Sequence, residues 1–88
     1  MEYGKYIIVS ELGHKVAILF NPLIPHDRFL NCYSKDNIHS AGFFQTILMP
    51  LHDTHVITIY TFGKSISLKN ISSNKGDNLL IEKILKNY

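Results

Sequence analysis

Five histidines and a single cysteine are the residues of this 88-residue chain best suited to chemistry. His52, Asp53 and His55 lie close in sequence, with His39 and Cys32 as distant companions, and these are the residue types that hold zinc. A structural zinc site, however, shows paired ligands at short spacing in two places, and here there is one such group. The histidines therefore read as solvent-exposed loop and strand-edge residues, and no metal is expected. A Cys/His nucleophile pair would need Cys32 beside His26 or His39, its thiolate favoured by positive charge. Next to Phe29 and Tyr33, Cys32 reads instead as a small buried hydrophobe. Ser40, Ser65 and Ser67 lack the Gly-x-Ser-x-Gly context of a nucleophile elbow. Gly63-Lys64-Ser65 ends like a phosphate-binding loop, but the glycine such a loop needs upstream is replaced by Thr58. No catalytic residue, metal ligand or cofactor is assigned, and the expectation is a protein that is not an enzyme.

Binding residues are better represented. Between Thr54 and Gly76 stand Lys64, Lys69 and Lys75 with no acid, whereas the charges of residues 1–44 cancel. With Ser65, Ser67, Ser72 and Ser73 as donors, this stretch has the groups to meet phosphates or an acidic protein surface. The net charge of +2 is too small to signal nucleic acid unaided. Phe43 and Phe44 are consecutive, so in a strand they must project to opposite faces, and one core can take only one of them. The other, with Tyr3, Tyr6 and Tyr60, would form an apolar patch of the kind found at association surfaces.

These residues must be positioned by a few short elements. Tyr6–Val9 and Lys15–Phe20 are β-branched and aromatic, and Gly13 between them suits a tight turn, so they read as a hairpin. Neither face of Lys15–Phe20 is polar, which suggests a central strand covered on both sides. Asn21-Pro22 ends it, and Pro25 opens a short helix over His26–Tyr33, anchored by Phe29 with Cys32 or Tyr33. Ile38–Leu48 resumes a strand pattern, with Gly42 marking a bulge or a close backbone approach. After Met49–Asp53 as connection, Thr54–Phe62 alternates cleanly, Val56, Thr58, Tyr60 and Phe62 on one face. Ile66–Leu68 reads as a further extended piece. Asn74 then caps a helix, with Asp77 three residues on, and Leu80, Ile81, Ile84, Leu85 and Tyr88 form its apolar stripe. The result is a single α+β domain over residues 1–88, an antiparallel sheet of about four strands in the order ββαββα, with the final helix covering mainly one face.

In that order, Tyr6–Val9, Val16–Phe20 with Pro22 and His26, His39-Ser40-Ala41-Gly42-Phe43-Phe44 and Gly63-Lys64-Ser65-Ile66-Ser67-Leu68 form a pattern. Closed by Ser72-Ser73 and Asp77 through Leu80-Ile81, it resembles small proteins encoded in phages and prophages whose function is not assigned. The Ser-Ala-Gly-Phe and Gly-x-Ser-x-Ser-Leu segments carry most of the likeness; at the helix start, Asn74-Lys75-Gly76-Asp77 stands where such proteins carry an Arg-Pro-Glu-Asp type sequence. The resemblance implies a bacterial host cell and an accessory role, and it transfers no catalytic residue.

The chain's longest apolar run is Val16–Phe20, far short of the ~20 residues a membrane-spanning helix needs. Glu2 and the interrupted apolar start do not read as an export signal, and one cysteine allows no internal disulfide, so the expected compartment is the cytoplasm. The resulting expectation is a phage-type protein that binds a macromolecular partner, a host or phage protein, through Phe43, Phe44, Lys64, Lys69 and Lys75. Its specific form would be an inhibitor of a bacterial defence system such as CRISPR. The alternatives are nucleic-acid binding through the basic 64–75 region, and a small metal- or cysteine-dependent enzyme. A homodimer is also expected, because about four strands leave two sheet edges for a short chain to cover.

Overall fold

The computed structural model describes residues 2–51, 54–68 and 71–86. Strands β1 (Glu2–Glu11), β2 (His14–Phe20), β3 (Ile38–Leu51) and β4 (Thr54–Phe62) form one antiparallel sheet in the order β2-β1-β3-β4. A small hairpin, β5 (Lys64–Ser65) with β6 (Ile71–Ser72), precedes helix α1 (Asp77–Lys86). The expected α+β arrangement is thus present, with the short helix realised as a 3-10 helix at His26–Asn31 and a further 3-10 turn following at Lys35–Asn37.

The β1–β2 turn is two residues long, Leu12 and Gly13, both at positive φ (51° and 81°). That combination matches the right-handed twist of the flanking strands, and it sets Glu11 opposite His14. Beyond the turn, Val16 and Ile18 pack on one side of the sheet and Ala17 and Leu19 on the other. The expectation of a central strand is nevertheless wrong, because β2 lies at a sheet edge. Two apolar faces report what lies above and below a strand, whereas centrality concerns hydrogen bonds in the plane of the sheet.

Both faces are covered. On the first, Tyr6, Ile8, Phe44 and Ile59 meet Ile81, with Leu80, Ile84 and Leu85 packed around them, so the predicted helix stripe points inward as expected. On the second, Ile7, Val9, Ile38 and Ala41 meet Leu68, with Tyr33 and Ile71 alongside. Tyr6 is therefore buried on the helix side, not part of an open aromatic patch. Adjacent residues Phe43 and Phe44 separate as the pleat demands: Phe44 joins the helix-side core and Phe43 faces the other way.

Several features differ from the sequence reading, the first being β1, which runs over Glu2–Glu11 and not only Tyr6–Val9. β3 runs through Met49-Pro50-Leu51, because past Thr46 its pairing among the described residues is with β4 alone, a setting in which a strand tolerates proline. Of the two readings of Gly42, the close backbone approach holds, with the Phe62 carbonyl oxygen against it, whereas the bulge lies earlier, at His39, where the register steps from Ile8 opposite Ser40 to Val9 opposite Ile38. Ile66–Leu68 forms a turn between β5 and β6, not an extended piece; the Ser65 Oγ accepts the Leu68 N–H (3.2 Å) and holds it closed. Finally, α1 starts at Asp77 behind Gly76 at φ +98°, so Asn74 does not cap it; the Asp77 carboxylate instead accepts the Asn74 N–H at 2.8 Å.

Candidate functional site

The strand register places Phe20, Lys5, Phe43 and Phe62 in one row across all four strands, on the face opposite α1. The next row sets Tyr3, Gln45 and Tyr60 side by side across β1, β3 and β4. Since cross-strand and diagonal neighbours lie within reach of aromatic side chains, the rings meet. Tyr3 stacks on Phe43 with centroids 6.0 Å apart and planes 9° apart, Phe43 on Phe62 at 5.8 Å and 18°, and Tyr3 on Phe62 at 6.4 Å and 27°. Stacked rings of this kind contribute ~0.5–1.5 kcal/mol beyond their area burial. The stack is nevertheless wet: Tyr3 is 51 %, Tyr60 52 % and Phe62 42 % exposed.

The row is braced from the β2 side by His26. Its ring stands edge-on to Phe20 (5.4 Å) and to Phe43 (5.8 Å), and its Nε2–H donates to the Gly42 carbonyl at 2.9 Å. Burial lowers the His26 pKa from the usual histidine range; the Gly42 bond and Asp27 oppose that shift and Lys5 adds to it. Lys5 lies 5.7 Å above the Phe43 ring and donates to the Ile24 carbonyl at 3.1 Å, so its ammonium is held beside the stack. Gly63 at φ +78° turns the chain at the end of β4, and Lys5, Lys64, His26 and Phe43 line a cleft of about 220 Å³ there.

Of the residues singled out from sequence, Phe43 and Lys64 meet at this cleft. Phe44 is buried on the opposite face, and Lys75 borders the start of α1 there. Ser65 is buried, its hydroxyl used within its own turn, and is not a surface donor. Cys32 is exposed, contrary to the expected burial, because Tyr33 is the residue packed against the second core. His39 bonds to the Ser10 hydroxyl. His52, Asp53, Lys69 and Tyr88 lie outside the described residues, as do the side chains of His55 and Phe29. Among the described residues, no group of three His, Cys, Asp or Glu side chains is arranged to hold a metal.

Sequence reasoning missed Phe62 and His26 as parts of this surface. Alternation along β4 placed Tyr60 and Phe62 on one face, but that Phe62 lies beside Phe43 and Tyr3 follows from register, which no single strand encodes.

β4 also ends the sheet, so Tyr60 and Phe62 stand next to an edge with no neighbouring strand among the described residues. Past Thr46, β3 and β4 continue as a two-stranded ribbon, with Leu48 and Ile57 paired and both exposed on its other side. Among the described residues, no helix is long and apolar enough to cross a membrane. Compared with protein-family models, curated proteins and solved structures, the chain finds no match.

Proposed function

We propose that this protein is not an enzyme and works by binding a protein partner on the aromatic face of β1, β3 and β4. The observation that carries this reading is the stack of Tyr3, Phe43 and Phe62 with Tyr60 beside it, half-exposed and adjoining a sheet edge that no strand among the described residues covers. Aromatic rings each bring a large apolar area at low entropic cost, and they are enriched at interface centres. An edge strand adds main-chain donors and acceptors that a partner strand can pair with. The resemblance to phage proteins supports a host protein as target, and an inhibitor of a bacterial defence system as the specific form. The same edge would serve a second copy, two β4 strands pairing about a twofold axis.

The test compares the native chain with Tyr60→Ser/Phe62→Ser, two changes at exposed positions. Sedimentation of the purified protein reads self-association, and affinity capture from a bacterial host lysate, with phage plating beside it, reads a heterologous partner. The expected result is a stoichiometric complex in one of these that the double variant loses while its fold is retained. A native chain that stays monomeric at high concentration, captures nothing stoichiometric and leaves plating unchanged would overturn the reading.

A second reading, single-stranded nucleic acid on the same face, is supported by Lys5 and Lys64 beside the stacked rings. Aromatic platforms flanked by cations are what such binders use, and binding would weaken steeply as salt rises. An oligonucleotide not retained at low salt removes it.

A further inference from the structure

On the other side of the sheet, a cleft of about 250 Å³ opens between the start of α1, the end of β1 and β2, and the bulge in β3. Its floor holds Ser40, which sits opposite Ile8 on the helix side and is 1 % exposed. The Ser40 Oγ is buried with no hydrogen-bond partner among the described residues. A buried hydroxyl left unpaired costs ~1–3 kcal/mol relative to a satisfied one, a cost that an acceptor bound in the cleft would relieve.

The surroundings define what that partner is. Lys15 from the edge strand and Lys75 from the loop before α1 both line the cleft. The first turn of α1 brings its positive dipole end there, and Gly76, with nothing within 4 Å of where a Cβ would stand, leaves the approach open. Among the described residues one carboxylate lines the cleft, that of Asp77, and its Oδ2 already accepts the Tyr6 hydroxyl at 2.6 Å and the Asn74 N–H at 2.8 Å. Two lysines, a helix N-terminus and an unpaired hydroxyl thus border a space smaller than a drug-sized pocket.

We infer that this cleft is an oxyanion site that takes one phosphoryl group, as free phosphate or as the phosphomonoester of a small molecule. Ser40 donates to it from below, and Lys15 and Lys75 neutralise it from the rim. The site is separate from the aromatic face and does not depend on it.

The experiment titrates the isotope-labelled full chain with inorganic phosphate, 5′-AMP and adenosine at constant ionic strength, following backbone amide resonances. Phosphate and 5′-AMP are expected to shift Ser40 and residues 76–79 saturably, and adenosine to leave them unmoved. Tighter binding of 5′-AMP identifies the phosphomonoester as ligand; equal affinities identify the phosphoryl group alone. Ser40→Ala and Lys75→Ala should each weaken binding about tenfold, the worth of one charge-assisted hydrogen bond. Ser40→Ala should meanwhile leave the phosphate-free melting temperature unchanged or raised, since the hydroxyl it removes has no partner among the described residues. Absence of saturable shifts with both anions, equal shifts with adenosine, or shifts that both variants leave unchanged would overturn the site.

Discussion

The Tyr6 hydroxyl donates to the Asp77 carboxylate at 2.6 Å, joining residues 71 positions apart and tying the first strand to the first turn of the last helix. Both groups are buried, Asp77 at 5 % exposure and Tyr6 at 0 %. Burial, followed by the adjacent Asp77 carboxylate, pushes the Tyr6 pKa far above the usual tyrosine range, so the phenol remains a donor.

Tyr6→Phe keeps the ring and deletes that donor, leaving a buried carboxylate with one partner fewer. The expected loss is ~1–3 kcal/mol in chemical denaturation. The folded protein holds the phenolic proton above 10.0, the ordinary tyrosine value, where the unfolded chain releases it. Stability should therefore be full below that pH and decline above it, and Tyr6→Phe should show a shallower decline. A variant as stable as the native chain with the same alkaline profile would mean that the bond contributes nothing.

His26 provides the acid-side counterpart. Its pKa is lowered from 6.5 in the fold, mainly by burial, so below that pH the unfolded chain takes up a proton that the folded chain refuses. Stability should be full above 6.5 and fall as pH drops through the interval down to the folded value. His26→Phe should lower stability at neutral pH by losing the Gly42 bond, yet flatten this acid dependence. Denaturation midpoints on either side of pH 6.5 decide it; parallel curves for the two proteins would remove His26 as the cause.

Gly42 should not tolerate a side chain. A Cβ there would lie 2.6 Å from the Phe62 carbonyl oxygen and 3.3 Å from the Ser73 Cβ, and a backbone oxygen cannot move aside as a side-chain tip can. Gly42→Ala is expected to cost ~1–3 kcal/mol, the range for overpacking. It should also perturb the ring resonances of His26, which bonds to the same residue's carbonyl. An unchanged melting temperature would contradict this close approach.

Helix α1 should divide sharply by face. Ile81 is fully buried and Lys83 exposed, so Ile81→Ala is expected to cost ~2–5 kcal/mol through lost transfer energy and the cavity left behind. Lys83→Ala should change stability by less than ~0.5 kcal/mol. Ile84, partly buried beside the same core, should fall between them. The reverse order in thermal unfolding would turn the helix over.

What the sequence by itself determined is whatever local periodicity and turn chemistry encode. The pleat sends Phe43 and Phe44 to opposite faces, Leu12-Gly13 closes a hairpin, and spacing sets Leu80, Ile81, Ile84 and Leu85 on one stripe. These features depend on residues within a turn or two of each other. Only the tertiary structure decided that β2 is an edge, because strand order is a property of partners and not of faces. It likewise decided that Phe62 joins Tyr3 and Phe43 in one stack, since register alone brings them together. Lys64 and Lys75, near in sequence, also part company: the β5–β6 hairpin returns Ser72 beside Lys64, and only the segment after it brings Lys75 to the α1 side. Tyr6 was legible as a strand residue, but its role depended on where a helix begun 71 residues later would place one carboxylate.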